Sequence, residues 1–268
     1  MTERLDRVAR GWDEAADGYE QYFVPRFAAW VKTAVGAIGG VPDGPVLVPC
    51  CGTFPELELL VERFPGRELA GIDLSGGMVR RARERAARLD HPSVQVVQAD
   101  ASSLDARWSG LCAAVVSVFG LQQLPDPEAA IRSWVGALTS GGRMCVVYWP
   151  GETEDDGPFA LLGKVIGERS DYSWEDRLLA DLGEAVIERD ELVSYPMTHP
   201  DAATYFDAAD HAGPMRALAL ARGDAYIADL RARFVADAPA GEWTHHPRAR
   251  LIVVRKPLSR AEAARPTS

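Results

Sequence analysis

The stretch 46–56, Val-Leu-Val-Pro-Cys-Cys-Gly-Thr-Phe-Pro-Glu, decides the fold class. It begins as a short apolar run typical of a buried strand, turns at Gly52, and leads into a helical pattern at 56–64. A strand, a glycine turn and a helix in this order form the first half of a β-α-β unit. Because glycine has no side chain, the turn also lets a ligand approach the backbone closely.

The same alternation continues after this stretch. Further strands are predicted at 68–73, 94–98, 113–119 and 143–149. Helices are predicted after Ser75, which can cap a helix, and over 127–138. The strands at 113–119 and 143–149 are mostly apolar, which is typical of strands buried on both faces. The sequence therefore predicts an α/β fold, a mostly parallel, twisted sheet with helices on both faces.

The flanking segments have other patterns and complete the predicted domain plan. Apolar and aromatic residues recur at helical spacing near the N-terminus, and a strand is predicted at 184–195. We expect an N-terminal helical cap at 1–40, an α/β core at 41–150, a helical cap or substrate insertion with strands at 151–248, a last core strand at 249–257 and a flexible tail at 258–268. Substrate is expected between cap and core.

Composition and charge exclude several classes of protein. With 268 residues, 47% hydrophobic and 25% charged, the chain has the composition of a globular protein. Its 39 acidic and 29 basic residues give a net charge of −10. That charge argues against nucleic acid or an anionic membrane as the main partner. No apolar run reaches the length of a membrane span and no secretory signal is visible, so we expect a cytoplasmic protein.

The negative charge is concentrated in one segment. Residues 151–211 contain 16 acidic and 4 basic residues. The simplest interpretation is a solvated surface. The alternative is that these carboxylates favour a cationic or amine-bearing substrate at the cap.

The cysteines support a reducing compartment. Cys50, Cys51, Cys112 and Cys145 show neither the spacing of a disulfide framework nor a histidine and cysteine cluster that would complete a metal site. We therefore interpret them as small packing residues and expect no metal.

Candidate ligand-binding groups stand where three consecutive predicted strands end. Gly52 follows the first strand, Asp73 closes the second and Asp100 ends the third. In an open parallel sheet, ligands bind at the carboxyl ends of the strands. The Asp73 carboxylate can accept both hydroxyls of a ribose, and that of Asp100 can accept an adenine amino group. A backbone turn, a diol acceptor and an amine acceptor together form the recognition set of an adenosyl ligand.

At these positions the sequence resembles the class I S-adenosylmethionine-dependent methyltransferases that act on small molecules. The resemblance covers residues 12–150 well and the rest loosely. It rests on the order and spacing of the stretches 46–53, 71–79, 98–101, 117–126 and 138–143. It implies a Rossmann-like seven-stranded sheet whose last strand is antiparallel. It also implies S-adenosylmethionine as cofactor, S-adenosylhomocysteine as product, and a small molecule as substrate, with specialised metabolism as a setting.

The resemblance also implies roles for individual residues. Asp73 would bind the ribose hydroxyls, Asp100 the adenine amino group, and the methionine part would meet the turn at 49–53. The full implied set of cofactor contacts is Tyr22, Pro49, Cys50, Gly52, Thr53, Asp73, Leu74, Met78, Asp100, Ala101, Ser117, Val118 and Phe119.

The sequence departs from the family's pattern in the first turn. Val48 stands where the family usually has an acid, and Cys50 and Phe54 replace glycines. We expect Cys50 to need an unusual backbone angle.

Catalysis of methyl transfer needs a base only where the nucleophile carries a proton when it attacks. Histidine titrates near neutral pH, so His199 and His211 are candidate bases, ahead of the pair His245 and His246. Tyr22 is a candidate for orienting the substrate.

Other functions stay open at this point. The protein could bind S-adenosylmethionine and catalyse a non-methylating reaction, as a lyase or cyclase. A nicotinamide oxidoreductase is disfavoured because no GxGxxG motif follows a predicted strand. A binding protein with a decayed site is disfavoured because Asp73 and Asp100 are both present. The methylated atom (oxygen, nitrogen or carbon) and a homodimeric assembly are also left open.

Overall fold

A computed structural model describes residues 2–89, 91–167 and 171–259, with side chains from residue 8 onward. A long helix precedes the predicted alternation of strands and helices. In chain order these elements are α1 (Thr2–Ala37), β1 (Val46–Pro49), α2 (Leu57–Arg63), β2 (Leu69–Asp73), α3 (Gly76–Leu89), β3 (Val94–Gln98), β4 (Cys112–Val118), α4 (Pro127–Ala137) and β5 (Leu138–Tyr148). Nearly all of the predicted tail, residues 260–268, lies outside the described ranges.

The remaining elements lie in the C-terminal half. They are α5 (Pro158–Ile166), β6 (Val186–Ser194), β7 (Met197–His199), α6 (Ala202–Asp210), α7 (Gly213–Arg222), α8 (Asp224–Asp237), β8 (Trp243–His245) and β9 (Arg248–Arg255). Strands β7 and β8 form a separate antiparallel pair. Within the described ranges, no helix combines the length and the apolar character needed to cross a bilayer.

Seven strands form one sheet in the order β3-β2-β1-β4-β5-β9-β6. The first five are parallel, and β9 runs antiparallel to both of its neighbours. The predicted fold class is therefore confirmed, including the antiparallel last strand. Strand β6 joins this sheet at its edge, so the segment at 151–248 contributes to the core as well as to the covering helices. Chain order reverses direction between β1 and β4, which leaves a crevice at their carboxyl ends.

The central strands are buried on both faces of the sheet, as their apolar sequences predict. Every residue of β1 is buried, and in β4 alternate side chains enter two different clusters. Val116 packs with α1 on one face, whereas Val115 packs with Trp134 of α4 on the other. The indole Nε1 of Trp134 donates to the carbonyl of Ala101 at 2.8 Å, which fixes the backbone after β3.

Strand β5 begins earlier than its sequence predicts, at Leu138 instead of residue 143. The pairing shifts between Cys112 and Ala114 of β4, where Leu138 and Arg143 are the respective partners. A bulge therefore absorbs the extra residues, and Gly141 takes a φ of 77° within it. Gly141 and Gly142, which follow the helix predicted at 127–138, lie inside the strand.

Helix α1 packs closely against α7. A Cβ atom added at Gly213 of α7 would lie 2.2 Å from the indole of Trp12, so only glycine permits this approach. The contact brings the N-terminal helix and the C-terminal helices together above the crevice of the sheet.

Candidate active site

A first cavity lies at the carboxyl ends of the parallel strands and beneath α1. Of the residues that the family resemblance implies as cofactor contacts, those that line it are Cys50, Gly52, Thr53, Asp73, Leu74, Met78, Asp100, Ala101, Val118 and Phe119. Helix α1 adds Trp12, Tyr19 and Phe27 as a cover. The topology thus gathers most of the predicted set around one space.

Asp73 is held by backbone groups of two different turns. Its Oδ2 accepts from the N–H of Gly52 at 2.8 Å, and its Oδ1 accepts from the N–H of Ser75 at 2.9 Å. Burial raises the pKa of this carboxyl, and the backbone N–H groups oppose that rise. Each oxygen keeps a second acceptor direction. The carboxylate can therefore accept two neighbouring hydroxyls from the cavity.

Asp100 lies at the exposed rim of the same cavity. Its Oδ1 accepts from the N–H of Ser102 at 2.8 Å, which orients the carboxylate. Ala101 behind it is buried. This arrangement leaves an acceptor at the end of β3, as the sequence predicts.

The turn after β1 keeps glycine-like backbone angles at the two positions where Cys50 and Phe54 replace glycines. Cys50 has a φ of 55° and Phe54 a φ of 63°, so the unusual angle expected for Cys50 is present. The ring of Phe54 is fully buried and packs under β2, where a Cβ added at Gly71 would lie 3.0 Å from it. The side chain that replaces a glycine therefore turns into the core and leaves the cavity open.

This geometry predicts that restoring a glycine at Phe54 destabilises the fold. Removing a buried phenyl ring costs about 3–5 kcal/mol, whereas relief of the left-handed backbone returns about 1–2 kcal/mol. We expect Phe54→Gly to unfold about 5 °C lower in a thermal melt, for a net loss of about 2 kcal/mol. Cys50→Gly, the matched control, should change stability by less than about 1 kcal/mol. An unchanged or higher midpoint for Phe54→Gly would contradict this account.

Helix α1 is fastened over the cavity by carboxylates on one face. The contacts join Asp13 to the Ser75 hydroxyl at 2.6 Å, Asp17 to Arg81 at 2.7 Å and Glu20 to Arg85 at 2.5 Å. The three acids are spaced by four and three residues, which places them along one side of the helix facing α3. This docking positions Trp12 and Tyr19 above the cavity.

Comparison with known proteins now connects this geometry to a family. Residues 46–142 match a family described as "Methyltransferase domain". These residues form a class I S-adenosylmethionine-dependent methyltransferase domain. The family resemblance noted in the sequence is thereby confirmed for the part of the chain that surrounds the first cavity.

Two curated relatives and one solved structure illustrate the similarity. The chain is 33% identical over 140 residues to demethylmenaquinone methyltransferase of Thermus thermophilus, covering 52% of this chain and 62% of the relative. It is 32% identical over 96 residues to trans-aconitate 2-methyltransferase of Paracidovorax citrulli, covering 36% and 35% respectively. The cyclase SpnF has the same fold, with a TM-score of 0.53 and 21% identity over 87% of this chain and 81% of that one. The chain thus spans less than two thirds of the length of these curated relatives.

Three of the implied cofactor contacts, Tyr22, Pro49 and Ser117, do not line the first cavity. Ser117 is fully buried, and its hydroxyl donates to the carbonyl of Pro49 at 2.9 Å, tying the end of β4 to β1. The hydroxyl of Tyr22 lies 2.8 Å from Nδ1 of His199. Pro49 and Ser117 therefore shape the strand ends, and Tyr22 faces the C-terminal half.

A second cavity adjoins the first and is lined mainly by aromatic rings. The two share Trp12, Tyr19, Phe27, Phe119 and Gln123. The second is completed by Phe23, Gln122, Trp149, Thr153, Phe159, Leu162, Tyr205, Ala209, Ala212, Pro214 and Met215. Among the residues that the structure describes, no charged side chain lines it. It lies between α1, the core sheet and the segment at 151–248.

His199 belongs to a buried chain of hydrogen bonds. Its Nε2 lies 3.0 Å from Nε2 of His245, whose Nδ1 lies 2.5 Å from Glu154 Oε2. Burial, with help from His245 and Arg26, lowers the pKa of His199 to about 3, so this imidazole is neutral. His199 lines neither the first nor the second cavity. Its position supports a role in joining α1 to the β7–β8 pair.

His211 is exposed after the last turn of α6. Its Nδ1 lies 2.7 Å from the carbonyl oxygen of Asp207, one turn earlier in the same helix. It lines neither cavity, so the structure does not bring the predicted catalytic residues together.

The acidic segment does not supply charge to either cavity. Of its carboxylates that the structure describes, none lines the first or the second cavity. Glu188 pairs with Arg143 and Arg255, and Asp190 pairs with Arg250 on the same exposed strand. The alternative in which these acids attract a cationic substrate is therefore wrong. Glu188, Asp190 and Glu191 lie on the exposed edge strand β6, whereas Glu154 is buried and bonds to His245.

All four cysteines are free thiols, and Cys51, Cys112 and Cys145 are buried. Burial raises the pKa of each of them. Within the described ranges, no cluster of histidine, cysteine, aspartate and glutamate is arranged to hold a metal. These observations support the packing interpretation.

Sequence reasoning missed Glu56, which lines the first cavity and is only 2% exposed. Its Oε2 has no hydrogen-bond partner in the described part of the chain. Burial raises the pKa of this carboxyl to about 8. One signal was available in the sequence. Val48 occupies the position where the family usually has an acid, and the acidic residue Glu56 stands eight residues later in the same segment of turn and helix.

Proposed function

We propose that the protein transfers a methyl group from S-adenosylmethionine to a small molecule. The observation that carries this proposal is the Asp73 carboxylate, which lines the first cavity and is held there by the N–H groups of Gly52 and Ser75. The methyltransferase domain at 46–142 and the names of both curated relatives, which act on small molecules, support it.

The residues around the first cavity fit this cofactor. Asp73 would hold the ribose hydroxyls, Asp100 the adenine amino group, and Leu74 and Met78 would pack on the adenine ring. A Cβ added at Gly52 would meet no atom within 4 Å, so the backbone there faces open space that a ligand can fill. These are the positions that the family resemblance implies.

We further propose that Glu56 binds the amino group of the cofactor's methionine part. Its unpartnered Oε2 is buried at the cavity wall, where it requires a hydrogen-bond donor. An ammonium group is a suitable donor because it would stabilise the ionised carboxylate. Glu56 would then take the role of the acid that the family usually has at the position of Val48.

Bound S-adenosylmethionine supplies an electrophilic methyl group, and the chain's own residues position the acceptor. Trp12 and Tyr19 cover both cavities and exclude water, while Phe119 forms part of the wall between them. Holding the nucleophile in line behind the methyl group can contribute several kcal/mol. The location of the second cavity supports the predicted binding of substrate between cap and core.

The second cavity offers no evident base. The ionisable groups that line it, among the described residues, are the phenols of Tyr19 and Tyr205. Burial raises the pKa of both, so at neutral pH they donate hydrogen bonds rather than accept protons. This favours a nucleophile that needs no proton acceptor from the protein.

Calorimetry with S-adenosylhomocysteine tests the proposal at its first step. We expect saturable binding in the micromolar range, because the ligand would meet Asp73, Asp100 and Glu56 together. Absence of binding at millimolar ligand would overturn the proposed function.

A second candidate keeps the cofactor and omits the transfer. The lack of a base in the second cavity is compatible with a non-methylating reaction, and the cyclase SpnF has the same fold. Cofactor carrying a labelled methyl group separates the two candidates once an acceptor is found. Label in the product supports transfer, and label retained in intact cofactor after turnover supports the second candidate.

A further inference from the structure

The second cavity has rigid, flat walls. The rings of Phe119 and Trp149 stack with centroids 4.0 Å apart and planes 7° apart. Phe159 meets Trp149 edge to face at 5.3 Å, and Phe27 meets Phe119 in the same way at 4.7 Å. Rings that brace one another keep their orientation, so the cavity complements a planar, apolar group.

The charges around this cavity disfavour an ionic ligand. No charged side chain lines it within the described ranges, so a carboxylate would lose its hydration without gaining a cation. The nearby Glu154 and His245 lie behind Phe159 and bond to each other. A cationic ligand would lack a carboxylate partner and would be repelled by the sulfonium expected in the adjoining cavity.

One polar group in the wall lacks a partner. The side-chain Nε2 of Gln122 donates to the carbonyl of Phe119 at 2.7 Å, which fixes the orientation of the amide. Its Oε1 is then buried and accepts no hydrogen bond from any residue in 2–89, 91–167 or 171–259. A buried carbonyl oxygen of this kind is satisfied by a hydrogen-bond donor, and a hydroxyl group on a ligand is one such donor.

We infer that the second cavity binds an uncharged, planar aromatic molecule bearing a hydroxyl group, which donates a hydrogen bond to Gln122. This substrate class rests on the proposed methyl transfer, since it assigns the second cavity to the methyl acceptor. The acceptor would form a bond to the methyl carbon as the bond between that carbon and the cofactor's sulfur breaks. The acceptor's proton would pass to solvent, because no described side chain of the cavity accepts it. The flat apolar walls select the ring, the lack of charge excludes acids and amines, and Gln122 selects the hydroxyl.

A series of naphthalene probes tests each part of this inference at pH 7 with S-adenosylhomocysteine at saturation. We expect 2-naphthol to bind. The carboxylate 2-naphthoate and the amine (2-naphthyl)methylammonium should bind at least about tenfold more weakly, because their charge is unpaired in the cavity. The ether 2-methoxynaphthalene should bind about fivefold more weakly, because it cannot donate to Gln122.

Three variants locate the binding site. Gln122→Leu should abolish the preference for 2-naphthol over its methyl ether, and Phe159→Ala should weaken every naphthalene probe about tenfold. Trp174→Ala is the matched control, because this indole packs on Tyr148 outside both cavities. It should leave probe binding unchanged.

Three results overturn the inference. Either charged probe binding as tightly as 2-naphthol contradicts the substrate class, and unchanged binding in Phe159→Ala contradicts the site. If S-adenosylhomocysteine binds and no probe does at millimolar concentration, the inference fails while the proposed function stands. If S-adenosylhomocysteine itself does not bind, the proposed function is what fails.

Discussion

Asp73→Ala is expected to lower the affinity for S-adenosylhomocysteine by at least about 100-fold. Hydrogen bonds to a charged group contribute about 1.5–3 kcal/mol each, and the Asp73 carboxylate would accept two from the ribose. The same change removes the acceptor that holds the N–H groups of Gly52 and Ser75. The turn after β1 should therefore also lose its fixed position, which adds to the loss of binding.

Isothermal calorimetry at pH 7.5 measures this effect. Asp100→Ala is the comparison variant, because its exposed carboxylate is held by one backbone contact and its loss should cost about tenfold. A thermal melt confirms that each variant is folded. If folded Asp73→Ala binds within twofold of the parent protein, Asp73 is not a ribose contact.

Glu56→Gln is expected to lower the affinity for S-adenosylhomocysteine and to abolish the dependence of that affinity on pH. The pKa of Glu56, about 8 because of burial, means that the carboxyl is mostly protonated at pH 7 in the free protein. Binding of an ammonium group favours the ionised form, so the parent protein should release a proton on binding. Its affinity should rise up to tenfold per pH unit between pH 6 and 8.

The amide of Glu56→Gln does not titrate, so its affinity should be lower at pH 8 and nearly constant from pH 6 to 8. Calorimetry in buffers of different ionisation enthalpy counts the protons released. Glu62→Gln serves as control, since Glu62 is an exposed residue of α2, the helix that begins directly after Glu56, and lines neither cavity. Equal pH profiles for the parent protein and Glu56→Gln would contradict the assignment.

The raised pKa of Glu56 also makes the stability of the folded protein depend on pH. In the unfolded chain Glu56 ionises near its ordinary value of 4.5, whereas in the fold it keeps its proton until about pH 8. The folded state therefore binds more protons between these values, and its stability falls as pH rises through that window. We expect Glu56→Gln to be the more stable protein at pH 8. A lower melting temperature for the variant at that pH would contradict the burial of an unpaired carboxylate.

The first turn shows how far local pattern can predict a site. A glycine in such a turn indicates a backbone angle that other residues rarely adopt. Cys50 and Phe54 do have the positive φ of the glycines that they replace. The direction of the Phe54 ring could not be predicted, because it depends on the space above Gly71 in a neighbouring strand. Phe54, which departs from the family's pattern, is a core residue.

The sequence by itself determined the alternation of strands and helices and the acids at the ends of β2 and β3. These features depend on residue periodicity and on position along one strand, both of which are local. The parallel topology then brings the strand ends together, so Asp73 and Asp100 reach one cavity as predicted.

Only the tertiary structure decided which residues line the second cavity and that His199 and His211 line neither cavity. Trp12, Gln122, Trp149, Phe159 and Tyr205 meet there from five separate stretches of the chain. His199 does not line the cavities. Its two ring nitrogens lie within hydrogen-bond distance of Tyr22 and His245, which are distant in sequence. Packing between distant segments has no local pattern, so it is fixed by which buried surfaces fit together.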